Sequence, residues 1–102
     1  MSARDARDVW VSKDDSSDIV RAEAIAGVGR DYNGNVTARL AGGEGAAVTL
    51  ADPGGHDGSP TPHDFHRQLL KVLAELSDTA QSTLVRPVRD EKHGWRWVAE
   101  PL

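Results

Sequence analysis

Asn33-Gly34 stands between two runs of β-prone residues, and no other local feature of the chain restricts its folding as strongly. The pair tolerates two successive positive φ angles, the requirement of a type I′ hairpin turn. Downstream, Val36, Ala38 and Leu40 alternate with Thr37 and Arg39, the period-2 pattern of a strand with one wet face. Gly42-Gly43-Glu44-Gly45 turns the chain again, and Ala46, Val48 and Leu50 repeat the alternation. Upstream, Ile19, Val20, Ile25 and Val28 lie among small residues. Helix competes here, because Val20-Arg21-Ala22-Glu23-Ala24-Ile25-Ala26 has good intrinsic propensity. The turn that follows nevertheless favours an extended strand over 19–31, so residues 24–51 read as an antiparallel meander.

Around this meander the signals are sparser. Residues 1–8 are small and charged, with nothing to offset the entropy of ordering them, and a frayed tail is expected. Val9-Trp10-Val11 predicts a first strand near 8–13, closed by the polar cluster Lys13 to Asp18. Residues 52–61, rich in Gly and Pro, predict a mobile loop. Thr61-Pro62-His63-Asp64 resembles a helix start, with Thr61 as N-cap and Pro62 in the first turn. Phe65, Leu69, Val72, Leu73, Leu76 and Ala80 then recur at helical spacing opposite Arg67, Gln68, Lys71 and Glu75, predicting an amphipathic helix over 62–80. Two further β-prone runs, 83–89 and 95–100, flank a five-residue loop at 90–94 and predict a terminal hairpin. Pro87 cannot donate to a ladder, which places its strand at an edge or at a bulge. The expected architecture is α+β: one domain over 9–102, with an antiparallel sheet of five or six strands packed on one helix.

Composition bounds what this fold can do. The chain has 102 residues, room for one domain, with 38% apolar and 27% charged residues and a formal charge of −4. Such a field repels the phosphate backbone that supplies most non-specific nucleic-acid affinity. With no Cys there is no disulfide framework, thiolate nucleophile or thiolate zinc site. No stretch approaches the roughly 18 apolar residues of a bilayer span, and no apolar leader occupies the first 30 residues, so no membrane association and a cytoplasmic location are expected. The surplus of Arg over Lys, with abundant Ala and Gly, is a bacterial-like composition typical of GC-rich coding and carries no mechanism.

Chemistry has few footholds. His56, His63 and His66 lie close in sequence with Asp57 and Asp64 between them, and His63 and His66 at i and i+3 would be neighbours on a helix. They are weak metal candidates. The first helical turn repels a cation, and the spacing matches no helical zinc motif. The Ser residues form no nucleophile elbow, and Gly27-Val28-Gly29 and Gly42-Gly43-Glu44-Gly45 lack the strand-turn-helix setting of a phosphate loop. No catalytic residue, cofactor or metal is assigned.

Trp95-Arg96-Trp97 is the most unusual feature, since alternation puts both indoles on one sheet face and Arg96 on the other. The indoles either pack beneath the helix, compensating for a core of Ala, Val and Leu, or form an outward platform flanked by Arg86, Arg89 and Lys92. Scarce bulk also leaves the sheet's other face partly apolar through Trp10, Ile25 or the Trp pair, which self-association across a two-fold axis would bury. The expected function is a non-catalytic module binding a protein partner or itself as a homodimer, with Trp95, Trp97, Arg96, Arg89 and Arg86 as contact residues. The alternatives are a small metal-dependent or acid–base enzyme using His56, His63 and His66, and a nucleic-acid-binding regulator using the C-terminal hairpin.

Overall fold

A computed structural model describes residues 9–42, 46–55, 60–77, 81–92 and 94–102. The expected tail at 1–8, and residues 56–59 of the expected mobile loop, lie outside the described residues.

β1 (Val9–Ser12) turns through Lys13–Asp18 into β2 (Ile19–Arg21), pairing antiparallel with Trp10 opposite Arg21 and Val11 opposite Val20. The strand expected over 19–31 is then broken. Ala22–Ala24 forms one turn of 3-10 helix, and the chain resumes as β3 (Ile25–Arg30) in a different sheet. The helix propensity of the Ala-rich segment is thus expressed as a single turn that redirects the chain. That turn is anchored by the Ala41 amide donating to the Ala24 carbonyl at 2.7 Å.

β3 continues antiparallel into β4 (Val36–Leu40) and β5 (Ala47–Ala51), the expected meander, with Val36, Ala38, Leu50 and Ala51 buried. Its first turn differs from type I′. Gly34 has φ +85, but Asn33 does not have positive φ. The Gly34 amide closes the turn on the Asp31 carbonyl, and the Asp31 carboxylate accepts from the amides of Asn33 and Asn35. A local carboxylate satisfies the loop, so only glycine needs the left-handed region.

After β5, Pro53–Gly55 makes a second 3-10 turn and α1 spans Phe65–Glu75. The helix is shorter than the predicted 62–80, and Asp64, not Thr61, holds the N-cap position. Phe65 and Leu69 are buried on its inner stripe, while Val72, Leu73 and Leu76 pack against the core. β6 (Thr83–Asp90) and β7 (Gly94–Pro101) form the terminal hairpin, paired from Thr83 with Pro101 to Asp90 with Gly94, so only residues 91–93 lie between the strands.

The α+β class with a single helix holds, with seven strands in two sheets, ordered β2-β1-β6-β7 and β3-β4-β5. All pairings are antiparallel except β1 with β6, which is parallel and sets Val9, Trp10 and Val11 beside Thr83, Leu84 and Val85. Pro87 therefore lies in an internal strand and at no bulge. It is tolerated because β1 reaches only as far as Val85, leaving no ladder partner for its missing amide. Between the layers, Val9, Val11, Ala38, Leu50, Leu69 and Val85 form the main core, and Val36, Ala51, Phe65 and Trp95 a second cluster, with Trp97 packed against both. Ile25, expected as a possible outer-face residue, packs against the main core. Asp14 ties the sheets together: its amide donates to the Leu50 carbonyl and its carboxylate accepts from the Asp52 amide. Among the described residues, no helix is long and apolar enough to cross a membrane.

Candidate functional site

Side-chain parity along β6 and β7 sorts the expected contact residues onto two faces. Arg89 pairs with Trp95 and Pro87 with Trp97, so these four share a face, whereas Arg86 pairs with Val98 and Arg96 with Val88 on the opposite one. Of the cations expected to flank the indoles, Arg89 shares their side, Arg86 lies on the opposite face, and Lys92 lies between the two strands.

Both indoles serve the interior. Trp95 is 5% exposed and meets Phe65 edge-on, with ring centroids 6.0 Å apart. Trp97 stacks on the same ring at 4.6 Å, and its Nε1–H donates to the Phe65 carbonyl at 2.8 Å. Of the two readings of this pair, packing beneath the helix is the one realised, and the outward platform is corrected. The outward guanidiniums are engaged: Arg86 Nε lies 3.1 Å from Glu100 Oε1 and Arg96 Nε 3.3 Å from Asp90 Oδ2. A phosphate approaching this ribbon would have to compete with carboxylates already in place.

The histidines are not brought together as expected. His56 and Asp57 lie outside the described residues. His63 is exposed and precedes α1, so the helical i, i+3 geometry with His66 is not formed. His66 is half-buried with its Nδ1 shielded, and Asp64 accepts from Gln68 Nε2 at 2.9 Å. Among the described residues, no group of three His, Cys, Asp or Glu side chains is placed to hold a metal ion.

Sequence reasoning missed a groove of about 910 Å³ between the β3–β4 turn and the approach to α1, lined by Arg30, Asp31, Tyr32, Thr61 and His63 among others. Thr61, expected to cap the helix, is its hub. Only 2% exposed, it donates through Oγ1 to the Gly34 carbonyl at 2.6 Å, and accepts from Arg30 Nε on Oγ1 and from Arg30 Nη2 on its carbonyl. Hydrogen bonding, first from the Asn35 side chain, holds the Asp31 carboxyl below the usual 3.8. These contacts tie the β3–β4 turn to the approach to α1, and among the described residues no hydrogen bond joins the groove's Asp31 to its His63.

A further unassigned surface belongs to the four-stranded sheet. Its outward face carries a row from Arg21 through Trp10 and Leu84 to Glu100, with the Arg21 guanidinium 4.7 Å over the Trp10 ring. Val88 and Val98 continue the apolar character toward β7, and neither core cluster includes Trp10, Leu84, Val88 or Val98. The face ends at β7, eight residues long, which pairs with β6 on one side and with no strand among the described residues on the other. Alternation in Thr83–Asp90, apolar on both sides of the strand, is the signal that could have found the outward residues; the edge has none, because strand order is not local.

The class these observations define is a small two-sheet α+β domain whose four-stranded sheet ends in the eight-residue strand β7. No family model matches the chain, and it matches no curated protein and no solved structure.

Proposed function

We propose that this protein is a non-catalytic association module that pairs with a second copy of itself through the β7 side of its four-stranded sheet. One observation carries the reading: β7 is among the longest strands of the fold, runs without a bulge along its ladder, and has an unpartnered side among the described residues. Edges of this kind template pairing, and soluble domains ordinarily blunt them with lysine, bulges or short length. Here β7 has no lysine and no register shift, and its protection is limited to Pro101 at the far end and the charged side chains Arg96 and Glu100. Pairing across a two-fold axis satisfies the edge and stops further growth.

The test is mass in solution at tens of micromolar by light scattering, with Ala99→Pro and Ala99→Val compared with the native chain. Ala99 is exposed and shares the parity of Trp97, which lies opposite the amide-less Pro87, so its amide faces away from β6 and proline there removes an edge donor while leaving the β6–β7 ladder intact. A native dimer, retained in Ala99→Val and lost in a folded Ala99→Pro, is expected. A native monomer overturns the reading.

A further inference from the structure

We infer that the two copies meet in one register, antiparallel, with the two-fold axis at Val98 and Arg96 of each opposite Glu100 of the other. This deepens the self-association reading and rests on it.

The register follows from which backbone groups β7 has to offer. Pro87 lacks an amide hydrogen and sits opposite Trp97 in a ladder without register shift, so that pair occupies a non-hydrogen-bonded position. Alternation then directs the amides and carbonyls of Gly94, Arg96, Val98 and Glu100 toward β6. The Leu102 amide, next in the same parity, does bond the Ser82 carbonyl at 3.0 Å. Trp97 and Ala99 consequently present their backbone groups to the open side, and among the described residues no backbone bond outside the ladders reaches these two.

Two such edges can pair about an axis only where outward-bonding residues meet one another, which leaves a short set of registers. Their side chains decide among these. With the axis at Arg96, two guanidiniums face each other directly, which is destabilising. With the axis at Trp97, Arg96 meets Val98 and Glu100 meets Gly94, and neither charge gains a partner. With the axis at Ala99, Glu100 meets Val98. Only at Val98 does each charge meet its opposite, while Val98 packs on its own copy and Trp97 exchanges backbone bonds with Ala99. Pro101 then comes opposite Trp95 and ends the pairing.

Existing ion pairs extend this match. Arg86 holds Glu100 at 3.1 Å and Asp90 holds Arg96 at 3.3 Å on the same outward face. Across the joined edges the order becomes Arg86, Glu100, the second copy's Arg96 and the second copy's Asp90, alternating in sign throughout. No like charges are brought adjacent, and the two four-stranded sheets become one continuous sheet.

Two single variants test the register. In Arg96→Glu two carboxylates face each other across each half of the interface, and in Glu100→Arg two guanidiniums do, so each variant alone is expected to dimerise at least about tenfold more weakly than the native chain. Mixed one to one, they form a heterodimer in which both cross-pairs are again opposite in sign, and affinity returns to within about threefold of native. Repulsion within each chain, from Asp90 or Arg86, is the same before and after mixing and cancels. Circular dichroism confirms that both variants are folded, and charge-conserving Arg96→Lys and Glu100→Asp variants, expected to dimerise as native, replace them as the reference if either is not. A native dimer whose single variants dimerise undiminished, or whose mixture stays monomeric, overturns the register while leaving self-association standing. A monomeric native chain removes both.

Discussion

The indole of Trp97 lies stacked at 4.6 Å on the ring of Phe65 and donates its Nε1–H to that residue's own carbonyl at 2.8 Å. One residue of the terminal hairpin thus grips the first residue of α1 by both side chain and backbone. Together with Trp95, which meets Phe65 edge-on, the cluster holds three of the chain's five Phe, Tyr and Trp residues, and it is spent on docking the helix against β7. That placement holds β7 rigidly along its inner face and leaves its backbone edge facing out.

Trp97→Phe keeps the stacking and loses the hydrogen bond, and should destabilise by about 1 kcal/mol; Trp97→Ala loses both and should cost roughly 3 kcal/mol or more. Denaturant unfolding measures the two steps. An equal loss for both variants would show that the indole donor, not the ring contact, dominates.

Thr61 joins three segments through a single buried hydroxyl. Thr61→Val preserves shape but leaves the Gly34 carbonyl and one Arg30 donor without this partner, and should cost about 1–3 kcal/mol, whereas Thr61→Ser should cost less. Thermal melts check the order, which reverses if packing of the methyl group matters more than the hydroxyl.

Gly34 and Gly42 both have positive φ, at +85 and +78, but their surroundings differ. A Cβ at Gly34 would lie 3.1 Å from the Thr61 amide nitrogen, while one at Gly42 meets nothing within 4 Å. Gly42→Ala should therefore cost about 1–2 kcal/mol from backbone strain alone, and Gly34→Ala measurably more.

The Asp31 carboxyl is held below its ordinary value, chiefly by the Asn35 side chain. A depressed folded-state pKa means that this group's contribution is present above the ordinary 3.8 and is lost as pH falls through the lower folded value. Comparing melting temperatures at pH 7 and below pH 3 should show a smaller acid-induced drop in Asp31→Asn than in the native chain. An identical drop would remove Asp31 from the acid response.

Much of the fold was legible because its signals are local. Alternation around Asn33-Gly34 marked the meander, the spacing from Phe65 to Leu76 marked the helix, and the runs flanking residues 90–94 marked the hairpin. What was not legible depends on distant partners. Nothing in Val9–Ser12 announces that it pairs parallel with Thr83–Asp90, and that pairing makes β6 internal and β7 an edge. The break at Ala22–Ala24 was half visible as helix propensity, but a single turn is too short to show a period. Thr61 read as a cap because its partners Arg30 and Gly34 are remote in sequence. The split of the contact set was available from parity alone: Arg86 and Arg89 are three apart on one strand, and an odd spacing puts them on opposite faces.

The open edge itself is tested most directly by amide hydrogen exchange at Trp97 and Ala99 as a function of protein concentration. Their amides should be protected at high micromolar concentration and should exchange progressively faster on dilution, while Arg96 and Val98, bonded to β6, stay protected throughout. Exchange at Trp97 and Ala99 that is equally fast at every concentration would contradict pairing through β7.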